Sequence, residues 1–279
     1  MDISLQSLII FIIITILYFL FPSIGKPELK LDDLLNEETK TNYYYRNIKS
    51  LMFYLGVVIV SQLFLNVGYL MAKCGGALDK NIGSAALFTF IPWLLIFGVL
   101  LATLIVFPGF KSAFSDVLGY YAVANSANNI FGTILIGTDL NEMIDNTQDA
   151  TKKQELTKAA EAIIKICGNK SILINQMNPD NFLDIWATLK PLMNPGQYEN
   201  VEIKQQLLGL VTLKDNIGEA FWYIYTAILI SSIVYYNLAT RGCVKSVDQI
   251  KTEHDNYIKQ QEETNKQNKL NNSTTYTMN

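Results

Sequence analysis

Few side chains in this sequence have the types and spacing that catalysis requires. His254 is the only histidine and lies in a polar C-terminal stretch, which excludes an HExxH zinc site and a histidine-dependent triad in the ordered part of the chain. There is no GxxxxGK[ST] loop, no GxGxxG after a strand and no GxSxG elbow. Several carboxylates share no recognised ligand spacing and are expected on a solvated surface: Asp116, Asp139, Glu142, Asp145 and Asp149. We therefore expect no enzyme, no cofactor, no bound metal and no evident small-molecule substrate.

Four apolar stretches without a charged side chain dominate the rest of the sequence. They cover residues 3–21, 51–72, 85–107 and 220–239. Each approaches the roughly 20 residues that a helix needs to cross about 30 Å of hydrocarbon. Because lipid offers the backbone no hydrogen-bond partner, such stretches must cross as helices. The sequence predicts an all-α integral membrane protein with four transmembrane helices.

Composition is consistent with that class and limits the partners. Half of the 279 residues are hydrophobic, and the formal net charge is −3. Nucleic-acid binding normally needs a clustered basic surface, so this mild acidity argues against a nucleic-acid partner. The alternative to a membrane protein is a soluble protein with buried core helices. Soluble helices of this length usually carry a polar stripe, and these stretches do not.

Aromatic side chains flank the apolar stretches. Tyr43 and Tyr44 come shortly before the second stretch, and Trp222 and Tyr223 lie at the start of the fourth. Such rings combine an apolar body with a polar tip, so they settle at the headgroup level of a bilayer. We expect these four residues at the membrane interface or in contact with a partner.

The apolar stretches divide the chain into six segments. These are transmembrane helix 1 (1–22), a polar connector (23–49), a hairpin of transmembrane helices 2 and 3 (50–107), a helical extramembrane module (108–218), transmembrane helix 4 (219–240) and a polar, partly disordered tail (241–279). The connector is the most basic loop, so the positive-inside rule favours an outside N-terminus and a cytosolic module. Arg241 and Lys245 in the tail oppose this orientation.

The module begins with a segment suited to the membrane interface. After Pro108-Gly109, which terminates the third stretch, apolar side chains recur on one helical face: Phe110, Phe114, Val117, Leu118 and Tyr121. We expect an interfacial helix over 110–124, with Phe110, Phe114 and Tyr121 contacting lipid or a partner. Packing of the same face against other protein is an equally open alternative.

Two further helices are predicted in the module. The apolar spacing of Leu156, Ala160, Ile163 and Cys167 indicates an amphipathic helix over about 150–167. Another begins near Glu199 and runs towards the fourth stretch, with an interruption expected at Gly218.

Polar groups inside the apolar stretches are rare. Gln62 and Asn66 lie four residues apart on one face of the second stretch. We favour hydrogen bonds to neighbouring helices as their role, because no carboxylate or base accompanies them. The alternative is a patch that lines a polar pore. In the third stretch, Pro92 predicts a kink.

Three cysteines are present, with neither a CxxC pair nor metal-site spacing. Cys74 follows the second apolar stretch and Cys243 follows the fourth, so both thiols lie on the same face of the membrane. A disulfide, palmitoylation and reduced thiols are the alternatives, and reduced thiols are favoured because sequence constrains pairing weakly.

The segment from Phe107 to Tyr120 reads FPGFKSAFSDVLGY. It resembles a signature in membrane proteins of nucleocytoplasmic large DNA viruses, which reads Pro-Gly-Trp, a short spacer and Phe-Ser-Asn-Thr-Phe-Gly. The matching residues are Pro108, Gly109, Phe114, Ser115 and Gly119, whereas Phe110 stands in place of Trp and Asp116 in place of Asn. The resemblance covers a small fraction of the chain and carries over no catalytic residue.

The resemblance implies a membrane-associated minor capsid protein, seated in an inner virion membrane assembled from host membrane and linking it to the capsid. The implied partners are the lipid bilayer and other capsid or membrane proteins of the virion. The alternative is a small channel or transport-like protein that uses the polar face of Gln62 and Asn66.

Overall fold

The computed structural model describes residues 3–74, 78–135, 170–243 and 247–273 of the chain. Within these ranges the chain is helical, with no β-strand and one antiparallel bridge between Leu135 and Met193. The α-helices are α1 (Ile3–Leu20), α2 (Leu31–Leu34), α3 (Glu37–Cys74), α4 (Leu78–Pro92), α5 (Gly98–Val106), α6 (Ser112–Phe114), α7 (Tyr120–Ile134), α8 (Phe182–Leu189), α9 (Val201–Thr240) and α10 (Val247–Ser273). The predicted all-α class is confirmed for this part of the chain.

Shorter helical segments connect these helices. π-Helical turns at Trp93–Phe97 and Ser115–Gly119 join α4 to α5 and α6 to α7, and 3-10 turns form at Pro108–Lys111, Lys170–Gln176 and Lys190–Leu192. The first π-helical turn directly follows Pro92, the residue at which the sequence predicts a kink. Proline removes one backbone donor, and a π-helical turn is one way for a helix to accommodate that loss.

Among the described residues, three helical runs are long and apolar enough to cross a membrane. They are α3, the run Ile82–Val106 formed by α4 and α5, and α9. α1 is also apolar, but its apolar part, Ser4–Leu20, is shorter than the other three. The predicted helix over about 150–167, with Cys167 and the carboxylates Asp139, Glu142, Asp145 and Asp149, lies outside the described residues.

α3 and α9 are about twice as long as a membrane crossing requires. They contain 38 and 40 residues, against the roughly 20 that hydrocarbon demands. α9 starts after Asn200, whose side chain accepts a hydrogen bond from the Ile203 N–H at 3.2 Å and so caps the helix. The helix then passes through Gly218 without a break, so the interruption expected there is wrong.

In the part of the chain that the structure describes, the buried apolar side chains form two separate clusters. The bundle core lies between α1, α3, the α4–α5 run and α9, and it includes Phe11, Trp93 and Tyr223. The module core lies between α7, α8 and the N-terminal parts of α3 and α9, and it includes Phe131 and Trp186. Since α3 and α9 contribute to both cores, they join the two halves of the molecule.

The connector belongs structurally to the module. Leu29, Leu31 and Tyr43 are each less than 9% exposed and lie in the module core. The Leu31 N–H also donates to the side-chain oxygen of Gln205 on α9, at 2.9 Å. The segment predicted as a polar connector therefore supplies part of the module core.

Candidate functional site at the boundary between the two cores

A buried group of four charged residues separates the module core from the bundle core. It consists of Lys26, Lys111, Asp215 and Glu219, and we call it the charged quartet. The Lys26 ammonium lies 2.8 Å from Glu219 Oε2, and the Lys111 ammonium lies 2.9 Å from the same oxygen and 3.0 Å from Asp215 Oδ2. Their side chains are only 7 to 15% exposed. On α9 the two carboxylates follow the module-core residue Val211 and precede the bundle-core residue Tyr223.

A tight turn at the start of the connector positions Lys26 beside Glu219. The Lys26 N–H donates to the carbonyl oxygen of Tyr18, at 2.8 Å, which turns the chain back after α1. A Cβ added to Gly25 would lie 2.0 Å from the same oxygen. Glycine is therefore required at position 25, because another residue would force the turn open and move Lys26 away from Glu219.

Lys111 reaches the quartet because the segment after α5 crosses α9 at close range. Two glycines make the crossing possible: a Cβ at Gly218 would lie 2.6 Å from Ser115 Cβ, and a Cβ at Gly119 would lie 2.4 Å from the Lys214 carbonyl oxygen. The Lys214 ammonium in turn contacts Asp116 Oδ1 at 2.6 Å. The crossing segment is therefore fixed by backbone contact and by an ion pair beside the quartet.

On the bundle side of this crossing, aromatic residues of α9 contact the segment after α5. The Trp222 indole N–H donates to the Phe110 carbonyl oxygen at 2.9 Å, and its ring meets Phe114 edge-on with centroids 5.0 Å apart. Phe114, Ser115 and Gly119 of the crossing segment therefore all lie on or beside the contact with α9.

The charges of the quartet balance, and each charged group faces an opposite one. Burial by itself lowers the pKa of Lys111, but the adjacent carboxylates of Glu219 and Asp215 outweigh burial and raise that pKa well above its ordinary range. Lys111 therefore stays protonated at any physiological pH. The Tyr223 hydroxyl also donates to Glu219 Oε1. Such a network holds elements together, because removing one partner leaves an uncompensated buried charge.

A small polar cavity lies beside the quartet. It has a volume of about 50 Å³, and its lining includes Lys26, Lys111, Asn47, Thr212 and Asn216. The side-chain oxygens of the last three have no hydrogen-bond partner within the described protein. The volume accommodates a few water molecules, which are suited to bridge such oxygens to the lysine ammonium groups.

The aromatic residues predicted at the membrane interface differ in exposure and form an exposed, a half-buried and a buried group. Phe110 and Tyr121 are exposed, at 54% and 87%, and Phe114 and Trp222 are half-buried against each other. The half-buried Tyr44 donates to an Asp180 carboxylate oxygen in the module.

Tyr43 and Tyr223 require a correction to their expected position. They are 6% and 1% exposed, inside the module core and the bundle core respectively. Neither ring is available to lipid headgroups in this fold. Flanking position alone did not distinguish inward-facing from outward-facing rings, because successive helical residues point about 100° apart.

Gln62 and Asn66 form hydrogen bonds between helices. The Gln62 amide donates to the Ser7 carbonyl oxygen on α1 at 3.0 Å and accepts from the Ser7 hydroxyl. The Asn66 amide donates to Thr89 Oγ1 on α4 at 2.8 Å. Both side chains are buried, at 0% and 3% exposed. Their polar groups join α3 to its neighbours, which is the role favoured from the sequence.

Cys74 and Cys243 form a disulfide, with Cα atoms 5.4 Å apart. The reduced-thiol alternative favoured from the sequence is therefore replaced by the paired one. The disulfide connects the C-terminal end of α3 to the chain just after α9 and closes the end of the bundle opposite the module.

The charged quartet was missed in the sequence analysis. Its members lie outside the four apolar stretches and come from three distant parts of the chain, so no local pattern assembles them. One signal was present: Asp215 and Glu219 are four residues apart on a helix that enters an apolar stretch at the next residue. Two carboxylates on one helical face, directly before an apolar stretch, indicate that cationic partners are buried or interfacial beside them.

Comparisons of the chain with protein-family models, with curated proteins and with solved structures find no match.

Proposed function

We propose that this protein is a structural component of a large DNA virus particle, with four membrane spans, that holds a helical module at a fixed height above the inner membrane. The module contacts neighbouring capsid or membrane proteins and so couples the membrane to the shell. The proposal combines the resemblance of residues 107–120 with the architecture around the charged quartet.

The observation that carries this proposal is the continuity between the two halves of the molecule. α3 and α9 run through both cores, and the charged quartet fastens the connector and the segment after α5 to α9 at the boundary. A module linked in this way transmits position and force rather than moving independently. Rigid spacing is what a membrane-to-shell adaptor requires.

α1 supports a fourth span. Its 18 residues extend about 27 Å at the usual helical rise, close to the thickness of the hydrocarbon core. Its inner side packs into the bundle through Ser7, Phe11 and Tyr18, each less than 9% exposed. The exposed side chains of its outer side are apolar: Leu5, Ile9, Ile13, Ile16, Leu17 and Leu20. An outer surface of this kind is suited to lipid tails.

The exposed aromatic residues after α5 support a membrane boundary at the level of the quartet. Phe107, Phe110 and Tyr121 are 58%, 54% and 87% exposed, although each is large and apolar in its ring. Phe107 and Phe110 directly follow the α4–α5 run, which ends at Val106, and Tyr121 lies at the start of α7. Lipid headgroups and upper acyl chains are the environment that exposed rings of this kind prefer.

Particle purification tests the proposal. The chain should be present in particles purified from infected cells after protease removes loosely attached protein, and lysine-reactive cross-linkers should join its module to shell proteins. Mild detergent should release the lipid while part of the chain stays with the shell. Retention of the chain in host membranes, with none in the particles, would overturn the viral assignment.

A further inference from the structure

The two ends of the membrane bundle differ in chemistry. One end has the module and the charged quartet. The other has the Cys74–Cys243 disulfide and the start of the tail helix α10. From Leu51 to Cys74, α3 extends about 35 Å at the usual helical rise, which is enough to separate the two ends by the full thickness of the hydrocarbon core. The disulfide and the module therefore lie on opposite faces of the membrane.

A second contact reinforces the disulfide. The Lys73 ammonium donates to the carbonyl oxygens of Leu238, Ala239 and Arg241, at 3.0, 2.7 and 2.8 Å. These are carbonyls at the C-terminal end of α9, where the helix leaves acceptors unpaired and where a cation is favourable. We call Lys73, Cys74 and Cys243 the clamp, because together they fix the end of α9 to the end of α3.

We infer that the clamp and the tail helix lie on an oxidising, non-cytosolic face of the membrane, and that the module lies on the cytosolic face. Disulfides form and persist in oxidising compartments and are rare in the cytosol. Formation of this disulfide removes two electrons and two protons from the two thiols. A thiol–disulfide oxidoreductase of that compartment accepts them, and its own disulfide becomes a dithiol.

The distribution of basic residues supports the same orientation independently. Five lysines and arginines precede α3's apolar part on the module side: Lys26, Lys30, Lys40, Arg46 and Lys49. On the clamp side, Lys73 is engaged by α9 carbonyls, and the Arg241 guanidinium lies 5.6 Å from the centre of the Phe88 ring. Arg241 and Lys245, which follow α9, count against this orientation, but the larger number of basic residues precedes the apolar part of α3 on the module side, as the positive-inside rule requires.

In this orientation the tail helix α10 lies on the face of the membrane opposite the module. Residues 250–269 of α10 are exposed along their whole length, so a partner of this helix is reached from the side of the membrane opposite the module. This orientation does not rest on the viral role, because it follows from the disulfide and from membrane spanning alone.

Thiol labelling in sealed vesicles of the endoplasmic reticulum, whose cytosolic face is outside, tests the orientation. The parent is the full-length Cys167→Ser variant, so that the clamp pair provides its only cysteines. Two single reporters are added to it: Ala187→Cys, exposed on α8 of the module, and Asn256→Cys, exposed on α10. A membrane-impermeant maleimide that adds mass is applied with and without detergent and with and without a permeant reductant.

We expect the Ala187→Cys reporter to be labelled in sealed vesicles and the Asn256→Cys reporter to be labelled only after detergent. The parent should gain no label in detergent alone and two labels in detergent with reductant. Labelling of Asn256→Cys in sealed vesicles, whether or not Ala187→Cys is labelled, would overturn the orientation. Labelling of the parent in detergent without reductant would show that the pair is not oxidised and would remove the basis of the inference. Either failure leaves the presence of the chain in particles to be judged separately.

Discussion

Glu219 Oε2 lies 2.8 Å from the Lys26 ammonium, although the two residues are 193 positions apart in the chain. The same oxygen lies 2.9 Å from the Lys111 ammonium. One carboxylate thus fastens the end of the connector and the segment after α5 to the long helix α9. Because these contacts lie between the two cores, the stability of the whole molecule should depend on charge balance there.

Lys111→Met is expected to destabilise the protein strongly. The substitution leaves the buried Asp215 carboxylate without its ion-pair partner. Loss of one partner of a buried ion pair lowers the free energy of unfolding by about 3–5 kcal/mol. Thermal unfolding in detergent micelles measures the change. The control is Arg46→Met at the Arg46–Asp33 pair, where the arginine side chain is 58% exposed and the expected cost is about 0–1 kcal/mol. Equal effects of the two variants would contradict a structural role for the quartet.

Restoring charge balance should recover part of the stability. Glu219→Met leaves Lys26 without its carboxylate, whereas Lys26→Met combined with Glu219→Met removes both charges and keeps the Lys111–Asp215 contact of 3.0 Å. The double variant should therefore unfold at a higher temperature than Glu219→Met alone. Additive losses from the two substitutions would show that Lys26 and Glu219 do not interact.

Gly218→Ala tests the close crossing at α9. The added Cβ would lie 2.6 Å from Ser115 Cβ and 2.7 Å from the Ser115 backbone nitrogen, so the crossing segment must move. Gly209→Ala is the matched control on the same helix, because nothing lies within 4 Å of its added Cβ. Alanine is favoured over glycine in a helix by about 0.5–1 kcal/mol. Gly218→Ala should therefore lower the thermal unfolding temperature, and Gly209→Ala should raise it slightly. A higher unfolding temperature for both variants would refute the close packing.

Gln62→Leu distinguishes interhelical hydrogen bonding from a conducting pore. We expect a stability loss of about 1 kcal/mol, the usual size for such contacts in membranes, because the bonds to Ser7 are lost. Purified wild-type protein should give no current in planar bilayers. A wild-type current that Gln62→Leu abolishes would instead support the channel alternative.

Phe110→Trp places a depth reporter at the proposed interface. In vesicles with lipids brominated near the carbonyl region, the added fluorescence should be quenched, because this side chain is exposed beside the end of the α4–α5 run. The matched control is Ile172→Trp, at an exposed position of the module. Its fluorescence should be unaffected by the same lipids. Equal quenching at the two positions would contradict the assigned boundary.

Much of the bundle was predictable because membrane helices leave local signals. The apolar stretches 51–72 and 220–239 lie within helical runs, and 85–107 does so up to Val106, since hydrocarbon permits no alternative for the backbone. The four-residue spacing of Gln62 and Asn66 likewise indicated one helical face, and both face neighbouring helices.

The charged quartet and the helix crossing between the two cores were not predictable, because they depend on contacts between distant parts of the chain. Lys111 meets Asp215 across 104 positions, and no spacing rule relates them. Gly218 was interpreted as a helix interruption, whereas its lack of a side chain serves the contact with Ser115. Trp222 and Tyr223 are adjacent in sequence, yet only Tyr223 is buried in the bundle core, because helical rotation turns them to different sides.

A cryo-electron microscopy structure of the full chain in a lipid nanodisc measures the height of the charged quartet relative to the bilayer. We predict that Lys26, Lys111, Asp215 and Glu219 are in mutual contact at the headgroup level, with the module core outside the lipid and the bundle core within it. A quartet that is separated into hydrated charges, or one at the bilayer centre, would contradict it.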